Sequence, residues 1–161
     1  MKYATPDFEA KLCPPKALAE RVATLLRPVV FTNGVFDILH RGHVTYLAQA
    51  RALGQSMILA LNSDASVKRL NKGADRPINQ LADRMAVVAA LRAVDVVTFF
   101  EEDTPLKLIL AAHPDVLVKG GDWPIDKIVG AKEVQRWGGS VHSIPFQHER
   151  STTAMLAKIR A

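Results

Sequence analysis

Five consecutive apolar residues, Met57-Ile58-Leu59-Ala60-Leu61, leave their segment no polar face. A half-exposed strand alternates, and a half-exposed helix repeats every three to four residues; this run does neither. Such a strand needs cover on both faces, the condition of a parallel sheet sandwiched between helices. The neighbouring segments supply that cover. Residues 42–53 place Val44, Leu47, Ala48 and Leu53 on one stripe and stop at Gly54, and residues 81–93 align Leu81, Met85, Val88 and Leu91. Further strands are expected at 29–33, 95–100, 115–118 and 140–144, and further helices at 131–137 and 151–159. Another helix is opened and capped by Thr104-Pro105 and runs to Ala112. Strands and helices in alternation predict an α/β chain with a single Rossmann-like, doubly wound, parallel five-stranded sheet. Residues 1–28 read as a helical lead-in, started by Pro14-Pro15 and ended by Pro28, and residues 29–161 as the domain proper.

Composition narrows the classes. With 161 residues and 48% hydrophobic content the chain can build one domain with a substantial core. No apolar stretch reaches the ~18 residues of a membrane span, and the first residues lack a signal-peptide core. No membrane partner and a cytoplasmic location are therefore expected. Cys13 stands alone, so neither an internal disulfide nor a cysteine metal cluster can form. The net charge of +5 invites a nucleic-acid partner, but the basic residues are scattered and aromatics make up only 6%. No nucleic acid is expected, since an anionic small molecule accounts for the surplus equally well.

In doubly wound sheets the ligand lies beyond the carboxyl ends of the strands, so residues 32–43, 62–72, 119–123 and 148–153 should line one pocket. The first is the most informative. Gly34-Val35-Phe36-Asp37-Ile38-Leu39-His40-Arg41-Gly42-His43 joins a buried strand to a helix start. Histidines at i and i+3 share one face of a helical turn, and a helix N-terminus offers unpaired N–H groups that suit a phosphate. A single surface histidine is usually only solvated; the surrounding strand, turn and glycine make a ligand-facing pair the better reading.

Other segments carry weaker signals. Lys119-Gly120-Gly121-Asp122-Trp123 can let a flat ligand approach the backbone, or can be an ordinary turn with exposed charges. Ser151-Thr152-Thr153 after Arg150 can cap a helix or bind phosphate at its dipole end. Lys68, Arg69, Lys72 and Arg76 fall on the loop after the second strand and Arg84 on the next helix, where Asp83 can pair with it locally. A charge run is most often a solvated face.

The H-x-G-H turn with its Phe36-Asp37 lead and the Ser-Thr-Thr run resembles the signatures of the nucleotidyltransferase superfamily. From Val29 to Ile159 the chain resembles the adenylyltransferase half of bifunctional ADP-heptose synthases, on Phe31-Thr32-Asn33-Gly34, Asn62-Ser63-Asp64-Ala65-Ser66, Phe100-Glu101-Glu102-Asp103-Thr104-Pro105 and Val118-Lys119-Gly120-Gly121-Asp122. With no kinase-length segment ahead of Val29, the stand-alone form is expected. The resemblance implies AMP transfer from ATP to D-glycero-D-manno-heptose 1-phosphate, with Mg²⁺ bridging phosphates and few protein ligands, in lipopolysaccharide core precursor synthesis. A cytidylyltransferase, or an adenylyltransferase acting on another phosphorylated compound such as glycerol 3-phosphate, is the alternative. It further implies His40, His43 and Lys72 as catalytic groups. Nucleotide contacts would come from Val35, Phe36, Gly42, Gly120, Asp122, Ser151, Thr152 and Thr153, and contacts to the sugar phosphate from Asn33, Asp37, Arg84 and Lys119. A homo-oligomer, dimer or higher, is the expected assembly. Class I aminoacyl-tRNA synthetases share H-x-G-H but also need a Met-Ser-Lys loop, which this sequence lacks.

Overall fold

Ser56–Asn62 forms a strand (β2) buried at all seven positions, as an apolar run without a polar face requires. The structure, a computed structural model, describes residues 3–70, 75–147 and 152–160. Around β2 stand β1 (Val29–Gly34), β3 (Val96–Phe100), β4 (Val116–Gly120) and β5 (Ser140–Ile144), in the order β3-β2-β1-β4-β5. Every pair is parallel. Strand order reverses between β1 and β4, which places the ligand crevice of such sheets there.

The helices are α1 (Leu18–Val22), α2 (Arg41–Arg51), α3 (Asp64–Arg69), α4 (Leu81–Ala89), α5 (Leu106–Ala112), α6 (Ala131–Arg136) and α7 (Thr152–Arg160). Because strand side chains alternate, successive residues of β1 feed two cores. Val29 and Phe31 pack with Leu18, Val22, Ile109 and Val134 on one face. Val30 packs with Leu47, Ala50, Val88 and Ala89 on the other. The sheet is thus covered by α1, α5 and α6 on one side and by α2 and α4 on the other.

Several local expectations need correction. The lead-in is not one helix from Pro15 to Pro28: it makes short 3₁₀ turns at Asp7–Lys11 and Pro15–Ala17 before the single turn of α1. The Thr24 hydroxyl donates back to the Arg21 carbonyl and tightens that helix into a turn. The lead-in nonetheless packs onto the domain, with the Cys13 amide donating to the Val97 carbonyl and Leu18 fully buried. Lys68 and Arg69 do not lie on a loop; they form the last turn of α3, whose N-cap Ser63 accepts from the Ser66 amide. Thr104 does not cap α5, which begins at Leu106 with Pro105 as its N-cap and no side-chain cap. Helix α4 ends at Ala89 rather than Ala93, because Leu91 and Val94 bond back in turns.

Two loops at the carboxyl ends of the strands are shaped by backbone constraints. Phe36 adopts a left-handed conformation (φ 48°) and folds its ring over Gly34, where a Cβ would lie 2.6 Å from the ring. Only glycine at 34 lets Phe36 close down on the end of β1. After β4, Gly121 has φ 112°, and its amide donates to the Ile144 carbonyl. The Ser143 hydroxyl donates to the Gly121 carbonyl and accepts from the Trp123 amide, fixing that turn to the end of β5.

Candidate active site

A cavity of about 440 Å³ opens at the β1/β4 switch point. It is a size suited to a small-molecule ligand. Its floor is the end of β1, Asn33 to Phe36, and one wall is the first turn of α2 with His40 and His43. The rest of the lining is Lys119, Gly120 and Gly121 after β4, with Trp123, Phe146 and Thr152. Segments far apart in the chain meet here because all follow strand ends.

The two histidines form one unit. His40 is the N-cap of α2 in extended conformation, and its ring stacks on that of His43 at 3.8 Å between centroids and 20° between planes. Burial lowers the His40 pKa. His43 is pushed down to about 4, first by burial and then by the neighbouring His40, with the Ile38 carbonyl working the other way. Both rings are therefore neutral near pH 7. Nδ1 of each is buried without a hydrogen-bond partner among the described residues. An anion beside them would favour N–H donation and protonation, because negative charge stabilises imidazolium.

Tyr46 continues this face one turn later. Its hydroxyl shares a short hydrogen bond with Thr32 and reaches toward the Val118 carbonyl, tying α2 to β1 and β4. Burial raises its pKa, opposed by Thr32 and by the backbone at Gly120, so it stays a neutral wall of the cavity. Phe146 lies edge-on to both Tyr46 and His43. It also covers Gly120, where a Cβ would come within 2.9 Å of its ring. Trp123, half exposed, donates from Nε1 to the Gly120 carbonyl. Tyr46 was readable from its i+3 spacing to His43; Phe146 carried no sequence signal beyond its place after β5.

The structure brings Asn33, Val35, Phe36, His40, His43, Lys119, Gly120 and Thr152 to the cavity as the sequence suggested. Thr152, nearly buried, points its hydroxyl at the Ile38 carbonyl at 3.5 Å, which seats the start of α7 against the histidine loop. Lys72, Arg150 and Ser151 lie outside the described residues, as does the side chain of Thr153. Asp122 is exposed beside the turn, and Gly42 is buried within α2; neither lines the cavity.

Arg84 is a correction. It is wholly buried and does not face the cavity. Its three donor groups go to the Asn79 carbonyl, the Val35 carbonyl and Asp64, whose carboxylate lies 2.7 Å away. Its partner is Asp64, not Asp83. Asp37 is corrected too. It lines the cavity but is buried, and its oxygens already accept from Arg76 Nε at 2.6 Å and from the Ile78 and Asn79 amides. A carboxylate so occupied cannot also orient a sugar phosphate directly.

Comparison with known proteins agrees with this geometry. The cytidylyltransferase-like family profile matches residues 31–159. The chain belongs to the cytidylyltransferase-like family. A D-beta-D-heptose 1-phosphate adenylyltransferase of Bordetella bronchiseptica is 56% identical over 155 residues, covering 95% of this chain and 96% of that protein. The bifunctional protein HldE of Ectopseudomonas mendocina is 59% identical over 82% of this chain, which spans 28% of that protein. Among solved structures, the lipopolysaccharide core biosynthesis protein of Thermoplasma volcanium superposes with a TM-score of 0.59 at 28% identity, covering 76% of this chain and 98% of that one. A pantoate-beta-alanine ligase from Francisella tularensis (TM-score 0.60, 15% identity, covering 88% of this chain and 68% of that one) shares the fold alone.

Proposed function

We infer that this chain is a nucleotidyltransferase that moves AMP from ATP to D-glycero-D-manno-heptose 1-phosphate, releasing pyrophosphate and ADP-heptose. The observation that carries this reading is the near full-length, 56% identical relative named for that adenylyltransferase activity. The geometry supports it independently. A phosphate oxygen of the sugar attacks the α-phosphorus of ATP; the new O–P bond forms as the bond to the β-phosphate oxygen breaks, and pyrophosphate leaves with the electron pair. No covalent enzyme intermediate is needed, so positioning and charge stabilisation carry the rate.

His40 and His43 sit where N–H donors can meet charge growing on phosphoryl oxygens. Gly120 and Gly121, covered by Phe146 and Trp123, give the cavity a flat, aromatic side that forms a slot for base and ribose. Thr152 at the start of α7, seated against the histidine loop, adds a hydroxyl to the lining. Magnesium enters as part of the substrate, magnesium-ATP. The described residues hold no group of three metal-ligating side chains, and Asp37, the carboxylate that lines the cavity, is already occupied. The phosphates and water would therefore supply the ion's ligands.

The test is pyrophosphate release with magnesium-ATP and heptose 1-phosphate, for the wild type and for His40→Ala and His43→Ala. Turnover by the wild type and losses of about 10²-fold in each folded variant are expected, the usual effect of removing a transition-state donor. Turnover with CTP at least equal to that with ATP would overturn the nucleotide assignment. Near-normal rates in either variant would remove that histidine from the mechanism.

A further inference from the structure

Two buried arginines stand near the histidine loop, and they are used differently. Arg84 gives Nε, Nη1 and Nη2 to protein acceptors and has no side-chain surface left. Arg76 also sits buried, with about 6% of its side chain exposed, yet it lines the cavity. Among the described residues its hydrogen bond runs through Nε to one oxygen of Asp37. A guanidinium that serves only as a cross-link spends Nε and both Nη groups on protein acceptors, as Arg84 does. Here the Ile78 and Asn79 amides compete for the Asp37 oxygens, and the Asn79 side-chain amide donates to the Asp37 carbonyl. Asp37 thus fixes both the arginine and the backbone that follows it, and among the described residues no acceptor takes the Nη edge, which leaves it for a second anion.

The sheet order says where that anion lies. Gly120, Gly121, Trp123 and Phe146 follow β4 and β5, on one side of β1. Arg76 belongs to the connection from β2 to α4, on the other side. The cavity therefore has a flat, aromatic end suited to a nucleoside and a cationic end across the histidines. The reaction brings a triphosphate and a second phosphate dianion into this one space. Both histidines are neutral before binding, so the cations that line the cavity among the described residues are Lys119, on the nucleoside side, and Arg76.

The geometry points to Arg76 as the residue that receives the phosphate of the acceptor sugar, with Asp37 as the positioning residue that holds it there. This rests on the nucleotidyltransferase reading above. The guanidinium bonds the non-attacking phosphate oxygens and orients the remaining one toward the α-phosphorus. Arginine rather than lysine is required, because one edge must bond Asp37 while the other stays flat for phosphate.

The experiment is steady-state kinetics of Arg76→Gln, Arg76→Lys and Asp37→Asn with each substrate varied in turn. Calorimetric ATP binding without sugar and thermal unfolding accompany it. In Arg76→Gln the KM for heptose 1-phosphate should rise about 10- to 100-fold, the size expected for hydrogen bonds to a charged group. The KM and dissociation constant for ATP should stay within about threefold, well under the tenfold step of 1.4 kcal/mol. Arg76→Lys should recover only part of the loss, and Asp37→Asn should shift the same constant in the same direction. A rise confined to the ATP constants, or no change in either KM, would overturn the proposal. So would loss of the fold in both Arg76 variants, which would make Arg76 a cross-link like Arg84. If the wild type instead releases pyrophosphate only with another phosphorylated acceptor, the heptose assignment fails. The Arg76 effect is then read on that acceptor's KM.

Discussion

Replacing Arg84 by methionine separates a structural staple from a ligand contact. The methionine fills the volume of the arginine stem but removes three donors. The Asn79 carbonyl loses a 3.0 Å bond, the Val35 carbonyl a 2.8 Å bond, and Asp64 its 2.7 Å partner. Breaking a buried ion pair by removing one member costs about 3–5 kcal/mol when the other stays dry. The Asp64 side chain is 38% exposed and can regain water, which moves its share to the low end of that range. The Val35 carbonyl, on a half-buried residue, and the Asn79 carbonyl, on an exposed one, lose a charged donor as well. A net loss of about 3 kcal/mol follows, and at 2–4 °C per kcal/mol for a domain of this size the Tm should fall by roughly 6–12 °C. Urea and thermal unfolding of the wild type, Arg84→Met, Asp64→Asn and the double variant measure it. The double variant should lose less than the sum of the singles by at least about 1 kcal/mol, as coupled partners do. Below the transition, both KM values should stay within about threefold, because the side chain reaches no ligand; a tenfold change would correspond to about 1.4 kcal/mol. An unchanged Tm with a tenfold rise in either KM would refute this account and return Arg84 to the ligand.

Three further expectations follow from the cavity wall. His43 should titrate near 4 in the free protein, and its midpoint should move upward when magnesium-ATP binds, both followed by NMR of its ring. Its folded pKa lies below the unfolded value of about 6.5, so the unfolded chain binds more protons between these values and stability falls as pH drops from about 6.5 to 4. The His43 contribution is at most about 3 kcal/mol, less for a partly solvated ring, and His43→Asn should flatten that part of the urea-measured profile; an unchanged slope would remove it. In Gly120→Ala the new methyl meets the Phe146 ring at 2.9 Å and the Tyr46 ring at 3.1 Å. Tyr46 is tethered and Phe146 is half exposed, so Phe146 should swing into the slot and raise the KM for ATP roughly tenfold, about 1.4 kcal/mol. An unaffected KM would show that the slot does not hold the nucleotide.

The features legible in the sequence are those whose causes are local. The burial of β2 follows from five apolar residues in succession, and the histidine pair follows from i, i+3 spacing on one turn. Helix α3 is weakly signalled in the sequence although Ser63 supplies an N-cap, because Lys68 and Arg69 at its end look the same on a charged loop as on a helical turn. The larger gap concerns the cations. In the sequence, Arg76 and Arg84 look alike: basic residues between β2 and the end of α4, each near an acid. Which acid each one meets is decided across the fold, since Arg76 finds Asp37 39 positions away and Arg84 finds Asp64 20 positions away rather than the adjacent Asp83. A guanidinium saturated by protein acceptors holds the loops together, whereas one bonded through Nε keeps an edge for a ligand. That difference lies in the hydrogen-bond partners, which no spacing rule encodes. Phe146 follows the same logic, because its place over Gly120 depends on the β4–β5 register that pairs Gly120 with Ile144. A substitution at Ile144 or Ser143 that shifted this register would thus disturb the nucleotide slot without touching any residue that lines it.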